Sequence, residues 1–298
     1  MTTTFLELDL PQPFDFKSLL QAHGWVDLQP NQYLAEENSF SRIEELSSAK
    51  VVELVISAPD ERVQVAIRHA SRLSAGDLRE VENRTRHMLR LDEDFTEFYR
   101  LCRRMGKPWS AMASGRGQLL RSPGLFEDIV KVICTTNIQW GGTRRMVAEM
   151  VHAFGSPHPL DPELKAFPKP EAIASLAFED FQNQTRLGYR APFIHQLAVD
   201  FCAGGDAFEN LRDAGRSTPG IRKELLAIKG IGSYAAASVL MLLGRYDEIP
   251  VDSVFQQLMR AKYFKENDFD LKKALAIYQA WGQWKYLAYW FDLLDYYQ

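Results

Sequence analysis

Apolar and polar positions partly alternate along the first part of the chain, and this pattern predicts an α+β region there. Three segments rich in Val and Ile predict β-strands, at residues 39–46, 51–58 and 62–70. A short helix is expected before them, since Asp15 can cap its start and Gly24 its end. We therefore predict a small N-terminal domain over residues 1–92, in which the strands form a twisted antiparallel sheet.

From Ser74 onward the apolar positions recur every three or four residues, which is the spacing of amphipathic helices. The clearest helices are predicted at residues 75–91, 93–105, 125–138 and 143–154. Segments rich in Pro and Gly separate them. The sequence therefore predicts an all-α region over residues 93–298, after the α+β domain.

The composition is that of an ordinary globular protein. Hydrophobic residues make up 46% of the chain and charged residues 25%. The longest apolar runs, such as residues 235–243, are far shorter than a membrane span. The N-terminus carries Glu7 and Asp9 and no basic segment, so we expect no signal peptide and a cytoplasmic protein.

Cysteine and charge counts narrow the possible cofactors and partners. The chain has three widely separated cysteines, Cys102, Cys134 and Cys202, which we expect to be buried, reduced thiols. This number excludes a four-cysteine iron–sulfur cluster, and without a CxxC pair we expect no structural zinc. The net charge of −4 disfavours a nucleic-acid partner unless positive charge is concentrated on one face.

Residues 225–244 predict two helices joined by a tight turn. An apolar helix ends near Ile228, and Gly230 and Gly232 allow the backbone to turn sharply. Ser233 can cap the second helix. Backbone N–H groups at the start of a helix favour an anion such as a phosphate. The turn alone is equally typical of a plain helical hairpin.

The loop that follows the hairpin makes the pattern more specific. Asp252 lies eight residues after Gly244, in the segment Pro250-Val-Asp252. Pro250 favours an extended entry, and Asp252 or Ser253 can cap a further helix. The simpler interpretation is an aspartate that only caps this helix.

In these residues the chain resembles the helix-hairpin-helix DNA glycosylases, in the branch of the 8-oxoguanine glycosylases and 3-methyladenine DNA glycosylase II. Lys229-Gly-Ile-Gly232 matches the hairpin of that family, and Pro250-Val-Asp252 matches its catalytic loop. Residues 126–137 and 187–191 resemble the two DNA-inserting segments of the 8-oxoguanine enzymes. The α+β start resembles their TATA-binding-protein-like N-terminal domain.

The resemblance implies a base-excision-repair enzyme with its active-site cleft between two helical subdomains of residues 93–298. Such an enzyme flips a damaged base out of double-stranded DNA and hydrolyses the N-glycosidic bond. Asp252 would supply the catalytic carboxylate. The DNA-contacting residues would be Asn137, Tyr189, Arg190, Lys229, Gly230, Gly232 and Tyr234. The base pocket would be lined by Trp140, Ser238, Trp284 and Tyr289.

The resemblance also bears on cofactors and partners. No cofactor would be required, although in related enzymes hairpin carbonyls hold a monovalent cation beside a DNA phosphate. Those carbonyls would be the ones of Leu226, Ile228 and Ile231. The expected partner is a double-stranded DNA that contains a damaged base. We expect a monomer with no membrane partner, associated with the nucleoid if the source is bacterial.

One departure from the family concerns the attacking group. Lyase-competent members carry a lysine at the position of Tyr234, and Lys229 replaces the usual proline of the turn. We therefore predict a monofunctional hydrolase, in which water attacks the sugar. The alternatives are a bifunctional glycosylase/lyase of the 8-oxoguanine type that uses another lysine, and a non-catalytic protein that binds DNA structures.

Other departures concern the lesion. Tyr289 and Ser238 stand where the 8-oxoguanine enzymes carry a glutamine and a cysteine, and Gly142 stands where they carry an arginine. The neighbouring Arg144 and Arg145 can compensate for that arginine. Residues 278–298 are rich in aromatic side chains, which attract a cation. We therefore predict a damaged purine, with an alkylated base favoured over an oxidised one.

Overall fold

The computed structural model describes residues 2–264 and 268–297. Its N-terminal part contains one five-stranded antiparallel sheet in the order β1-β5-β4-β3-β2. The strands are β1 (Thr2–Asp9), β2 (Asn31–Leu34), β3 (Ser39–Glu45), β4 (Val51–Ser57) and β5 (Arg62–His69). The predicted α+β class of this region is confirmed, and β3 to β5 match the predicted strands within one residue at each end.

Alternation of side chains along the two inner strands explains the sheet. In β4, Val52, Leu54 and Ile56 are fully buried, while the residues between them are partly exposed. In register with them, β5 buries Val63, Val65 and Ile67 on the same face. Successive side chains of a strand point to opposite faces, so this spacing gives the sheet one apolar face.

Helices make up most of the remaining structure. The first group comprises α1 (Phe16–Gln21), α2 (Ala75–Met88), α3 (Thr96–Met105), α4 (Leu125–Thr135), α5 (Trp140–Phe154), α6 (Pro170–Ala174) and α7 (Phe178–Asn183). The second comprises α8 (Ala191–Glu209), α9 (Thr218–Ala227), α10 (Ser233–Leu242), α11 (Ser253–Lys262), α12 (Leu271–Ala276) and α13 (Lys285–Tyr297). A short hairpin of β6 (Pro157–His158) and β7 (Asp161–Lys165) follows α5.

The chain forms two compact units, each made from two separate stretches. The first unit contains Met1–Asp92 and Gln118–Phe208, and the second contains Glu93–Gly117 and Glu209–Gln298. The sheet thus forms one compact unit with α4 to α7 and nearly all of α8, whereas the hairpin helices α9 and α10 belong to the other. The predicted domains 1–92 and 93–298, as separate folding units, stay a prediction.

A buried charged cluster joins the sheet to α4 in the first unit. Arg42 of β3 is 1% exposed, and its guanidinium donates two hydrogen bonds to the carboxylate of Glu127, at 3.0 and 2.6 Å. Lys131 lies one turn further along α4, with its Nζ 2.6 Å from Glu127. Although burial opposes it, the charges of Arg42 and Lys131 lower the pKa of Glu127 to about 2. The cluster therefore fixes α4 to the sheet with its charges paired.

Candidate functional site

The hairpin between α9 and α10 forms in the second unit as predicted, with one correction at its cap. Gly230 has φ +90°, a conformation that favours glycine. The turn is closed by a hydrogen bond of 3.1 Å from the N–H of Ile231 to the carbonyl of Ile228. The cap of α10 is Gly232 and not Ser233, which is already the first residue of the helix. Because a glycine cap has no side chain, it leaves N–H groups at the start of α10 open.

Asp252 caps α11. Its Oδ1 accepts a hydrogen bond of 2.8 Å from the N–H of Phe255, and its carboxylate is half-buried. Partial burial raises the pKa of Asp252, against backbone hydrogen bonds that lower it. The hydrogen bond to Oδ1 thus fixes the orientation of the carboxylate, and partial burial leaves its charge poorly solvated. Both properties suit a carboxylate that stabilises a developing positive charge.

Aromatic residues of α13 surround this end of α11. Tyr289 is 1% exposed, and its ring packs edge-on against Phe255, with the centroids 5.4 Å apart. Burial, and then the charge of Asp252, raises the pKa of Tyr289, and Tyr234 of α10 acts in the same direction. The structure therefore brings Asp252, Tyr289 and Tyr234 into one neighbourhood.

A second carboxylate fixes the other end of α11. Asp292 of α13 is fully buried and accepts hydrogen bonds from the hydroxyls of Tyr278, at 2.6 Å, and Tyr263, at 2.7 Å. The Nζ of Lys262 lies 2.7 Å from the same carboxylate. Tyr263 and Lys262 stand at the C-terminal end of α11, so α11 is held to α13 at both ends.

The predicted wedge residues come together in the first unit, although about fifty positions separate them in the sequence. The amide of Asn137 donates a hydrogen bond of 3.2 Å to the hydroxyl of Tyr189, which also lies 3.2 Å from Oγ1 of Thr136. The guanidinium of Arg190 lies 4.4 Å above the ring of Tyr189 and donates a hydrogen bond to the carbonyl of Thr136. Asn137 has φ +48°, which lets the chain turn sharply after α4.

The members of this trio differ in exposure. Tyr189 is 52% exposed, whereas Arg190 is 5% exposed. Burial opposes it, but hydrogen bonds from Thr136 and Asn137 and the charge of Arg190 lower the pKa of Tyr189. In this arrangement Arg190 supports the loop and stacks on Tyr189, while Tyr189 presents its ring to the solvent.

Solved structures with this architecture are DNA glycosylases. A 3-methyladenine DNA-glycosylase from Archaeoglobus fulgidus matches with a TM-score of 0.75 at 20% identity, over 97% of both chains. The 8-oxoguanine glycosylase/lyase of Clostridium acetobutylicum, bound to double-stranded DNA with cytosine opposite 8-oxoguanine, gives 0.71 at 18%, over 97% of this chain and 96% of that one. This chain has the fold of those DNA glycosylases.

A third structure of this fold, MBOgg1 in complex with a low-affinity DNA ligand, matches with a TM-score of 0.72 at 19% identity, over 100% of this chain and 97% of that one. No protein-family model and no curated protein sequence matches the chain. Among the helices described, none combines the length and apolar content that a membrane span requires.

The four predicted pocket residues are divided between the two units, with Trp140 in the first and Ser238, Trp284 and Tyr289 in the second. Ser238 is 8% exposed, and its hydroxyl donates a hydrogen bond of 3.1 Å to the carbonyl of Tyr234 in the preceding turn. Trp284 packs in a different aromatic cluster from Tyr289, stacked on Tyr246 with the ring centroids 5.5 Å apart. Trp140 belongs to the first unit and lies against Gly24. Their role as pocket walls stays a prediction.

Gly142 stands where the resembling enzymes carry an arginine, and the structure explains why no side chain fits. A Cβ atom added at Gly142 would lie 2.5 Å from Cγ1 of Ile138, so the Ile138 side chain fills this space. Arg144 and Arg145, one turn further along α5, are both exposed.

The possible metal ligands are backbone oxygens rather than side chains. Within residues 2–264 and 268–297, no three His, Cys, Asp or Glu side chains cluster as a metal site. At the hairpin, the carbonyl of Ile228 already accepts the hydrogen bond from Ile231. A carbonyl oxygen has two lone pairs, so it can also face a cation together with those of Leu226 and Ile231. The cation at these three carbonyls stays a prediction. The three cysteines are unpaired; Cys102 and Cys134 are buried as expected, whereas Cys202 is exposed, which corrects the prediction for that residue.

Two residues that hold these elements in place, Thr136 and Asp292, were not foreseen from the sequence. Thr136 bonds to both Tyr189 and Arg190, and only its position next to Asn137 could have indicated it. Nothing in the sequence indicated the buried role of Asp292, because a single acidic residue on a helix is usually solvated.

Proposed function

We propose that this protein is a monofunctional DNA N-glycosylase that removes a damaged purine. The observation that carries the proposal is Asp252, a poorly solvated carboxylate that caps α11 in the loop that follows the second hairpin helix, α10. A cap needs no raised pKa, and a protein that only binds phosphates gains nothing from a negative charge at this place. The glycosylase fold of the chain agrees with this function.

The chemistry assigned to Asp252 is electrostatic. Breaking the bond between base and sugar builds positive charge on the sugar, and a fixed carboxylate stabilises that charge. The hydrogen bond from Phe255 holds Oδ1, while Oδ2 can face the sugar or orient the attacking water. Only the ionised form of Asp252 can act in this way.

Water is the proposed nucleophile because the usual lysine is missing. Tyr234 stands at that position, and together with Asp252 it contributes to the raised pKa of Tyr289. Lys262 is held by Asp292 and Asp295, at 2.7 and 3.1 Å. Lys229 is exposed on the hairpin, and Lys285 lines a pocket together with Ser233 and Val251, so these two lysines are rival amines.

An alkylated purine is the favoured substrate. A base methylated at a ring nitrogen carries a positive charge, which makes it a good leaving group and lets one carboxylate suffice. Tyr289 and Tyr286 supply electron-rich rings beside α11, and cation–π attraction contributes roughly 0.5–2 kcal/mol. The rival substrate is 8-oxoguanine, which the loop of Asn137 and Tyr189 favours by its resemblance to that branch.

The deciding experiment is a panel of duplexes with one lesion each: 3-methyladenine, 7-methylguanine, 8-oxoguanine or none. We expect release of a methylated base, no adduct trapped by borohydride, and strand breakage only after alkali. Faster release of 8-oxoguanine would reverse the substrate assignment. A trapped adduct that disappears in Lys229→Ala would make the enzyme a glycosylase/lyase.

The hairpin cation belongs to the same proposal. The carbonyls of Leu226, Ile228 and Ile231 would hold a monovalent ion, which would offset the charge of a nearby DNA phosphate. These backbone groups, together with N–H groups around Gly230 and Gly232, would anchor the strand without reading its sequence. We expect DNA affinity to differ between potassium and a bulky organic cation at equal ionic strength.

A further inference from the structure

The first unit contains a polar groove beside the predicted wedge loop. It encloses about 760 Å³. Four residues of α5 line one side, and they stand on one stripe of the helix because their spacing is three to four: Gly141, Arg144, Arg145 and Ala148. β2 and β3 form the floor, and Glu163–Lys165 of β7 form the far side.

Two of the cations that line this groove are unpaired. Neither Arg144 nor Arg145 forms an ion pair or hydrogen bond with any residue that the structure describes. Lys165 adds a third positive charge, and its Nζ donates a hydrogen bond to the carbonyl of His152 without losing that charge. The positive groups therefore remain available to an anion.

Three carboxylates also line the groove, namely those of Asp27, Glu53 and Glu163. Glu53 is already paired with Arg68, with an oxygen–nitrogen distance of 3.1 Å, so its charge is largely compensated. Asp27 and Glu163 offset part of the charge of the three cations. The groove thus carries a small positive excess.

The floor offers a hydrogen-bonding group to a ligand. Ser41 lies in the middle of β3 and is 7% exposed, yet its side chain lines the groove. Its hydroxyl makes no hydrogen bond within the described part of the chain. A hydroxyl that opens into the groove without a protein partner can donate a hydrogen bond to water or to a phosphate oxygen.

The groove is continuous with the wedge loop through α5. Asn137 precedes α5 by three residues, and Trp140, the first residue of α5, packs on Gly24. A Cβ atom at Gly24 would lie 2.7 Å from Cζ2 of Trp140, so the contact is close. Trp140 is 36% exposed and lies in the chain between Asn137 of the wedge loop and the groove residues of α5.

We propose that this groove binds the phosphodiester backbone of the DNA strand next to the lesion. The inference rests on the proposed function, because the strand would run from the gap filled by Asn137 past Trp140 to Arg144 and Arg145. Unpaired guanidinium groups and a free hydroxyl are groups that contact phosphate oxygens. The N-terminal sheet would thereby take part in DNA binding.

The test compares two variants with the same change in charge. R144E/R145E alters the groove, and R72E/R79E alters exposed arginines of the same unit that do not line it. The probe is a duplex with a stable abasic-site analogue, in a series shortened stepwise from either end. Binding is measured by fluorescence anisotropy over a range of salt concentrations.

We expect R144E/R145E to weaken binding to the longest duplex about tenfold and to lower the salt slope by about two, since each phosphate contact contributes roughly 0.9. Shortening the duplex from one end only should remove this difference. R72E/R79E should stay within about twofold of the wild type. Equal weakening by both double variants, or no effect of R144E/R145E, would overturn the proposal.

A neutral variant keeps the test independent of net charge. Ser41→Ala removes the hydroxyl without adding an atom, and we expect a two- to threefold loss of affinity for the same duplex end. Unchanged affinity would remove Ser41 from the site. If the wild type releases no base from any lesion but the groove variants still lose DNA affinity, the proposed activity fails and the groove stands. If the wild type excises a base and the groove variants bind DNA as tightly as the wild type, the proposed activity stands and the groove proposal fails.

Discussion

Two tyrosines, Tyr189 in the first unit and Tyr289 in the second, lie in opposite environments. Tyr189 is half-exposed, receives hydrogen bonds from the loop of Asn137 and has a lowered pKa. Tyr289 is buried among aromatic rings beside Asp252 and has a raised pKa. A ring that stacks on bases must be reachable from solvent, whereas a carboxylate stabilises a charge more strongly when it is kept from water. The exposed Tyr189 and the buried Tyr289 thus meet two different requirements of one proposed reaction.

The largest effect is expected when the negative charge of the buried region, that of Asp252, is removed. Asp252→Asn keeps the cap and the shape but removes the charge, so we expect single-turnover base excision to fall at least ~10²-fold. DNA affinity and thermal stability should change little. Excision near the wild-type rate would leave Asp252 as a helix cap alone.

The next effect concerns the support of α11. Tyr278→Phe removes one hydrogen bond to the buried Asp292, and a bond to a charged group is worth roughly 1.5–3 kcal/mol. We expect the free energy of unfolding to fall by that amount in urea titrations. Tyr289→Phe is the matched control, because its ring is also buried, and it should cost less. An equal loss in both variants would show that Asp292 has no special role.

The hairpin offers an intermediate effect. A Cβ atom added at Gly232 would meet no other atom within 4 Å, and the φ of −92° at this position suits any residue. Gly232→Ala should therefore bind DNA almost normally, while Gly232→Asp should weaken binding to all duplexes about tenfold by repelling phosphate. Equal affinity of the two variants, measured by anisotropy, would remove the hairpin as a phosphate anchor.

The raised pKa of Asp252 predicts a pH dependence. Since the ionised form acts, excision should fall about tenfold per pH unit below the pKa of Asp252, with a midpoint above the ordinary value of about 3.9. Single-turnover rates between pH 4 and about 8 would show this limb. A rate that stays flat throughout this range would mean that the group is not desolvated in the complex.

The smallest effect is expected in the exposed region. Tyr189→Phe keeps the ring but removes the hydroxyl that Asn137 and Thr136 contact, so excision should change about twofold. Tyr189→Ala also removes the stacking surface and should cost about tenfold. If the two variants behaved alike, the hydroxyl and not the ring would matter.

The parts of the fold that were predicted are those with a strong local pattern. β3 to β5 alternate clearly, whereas β1 was missed because it is an edge strand in which only Leu8 is buried. β2 was missed because it is four residues long and follows Pro30. The helix predicted at 125–138 ends at Thr135, since Asn137 turns into a positive φ. Segments with a strong local pattern can be predicted from the sequence, but edge strands and helix ends depend on contacts with neighbouring elements.

The candidate site follows the same rule. The glycines of the hairpin and Asp252 lie within one short stretch, so their spacing was informative. The contact of Asn137 with Tyr189 was expected only from the family resemblance, because the intervening chain has to fold first. The Arg42–Glu127–Lys131 cluster was not foreseen, since three charged residues normally indicate a solvated surface.

This cluster has a consequence for how the chain can be divided. Every residue of α4 from Leu125 to Cys134 is buried, including Glu127, Asp128 and Lys131. Without the sheet, Glu127 would lose Arg42, and Asp128 would lose the indole N–H of Trp25, which lies 3.1 Å away. Removing one partner of a buried ion pair costs roughly 3–5 kcal/mol, a large part of the stability of a domain. We therefore expect that a chain beginning at residue 93 would leave Glu127 and Asp128 of α4 without these partners and would be less stable.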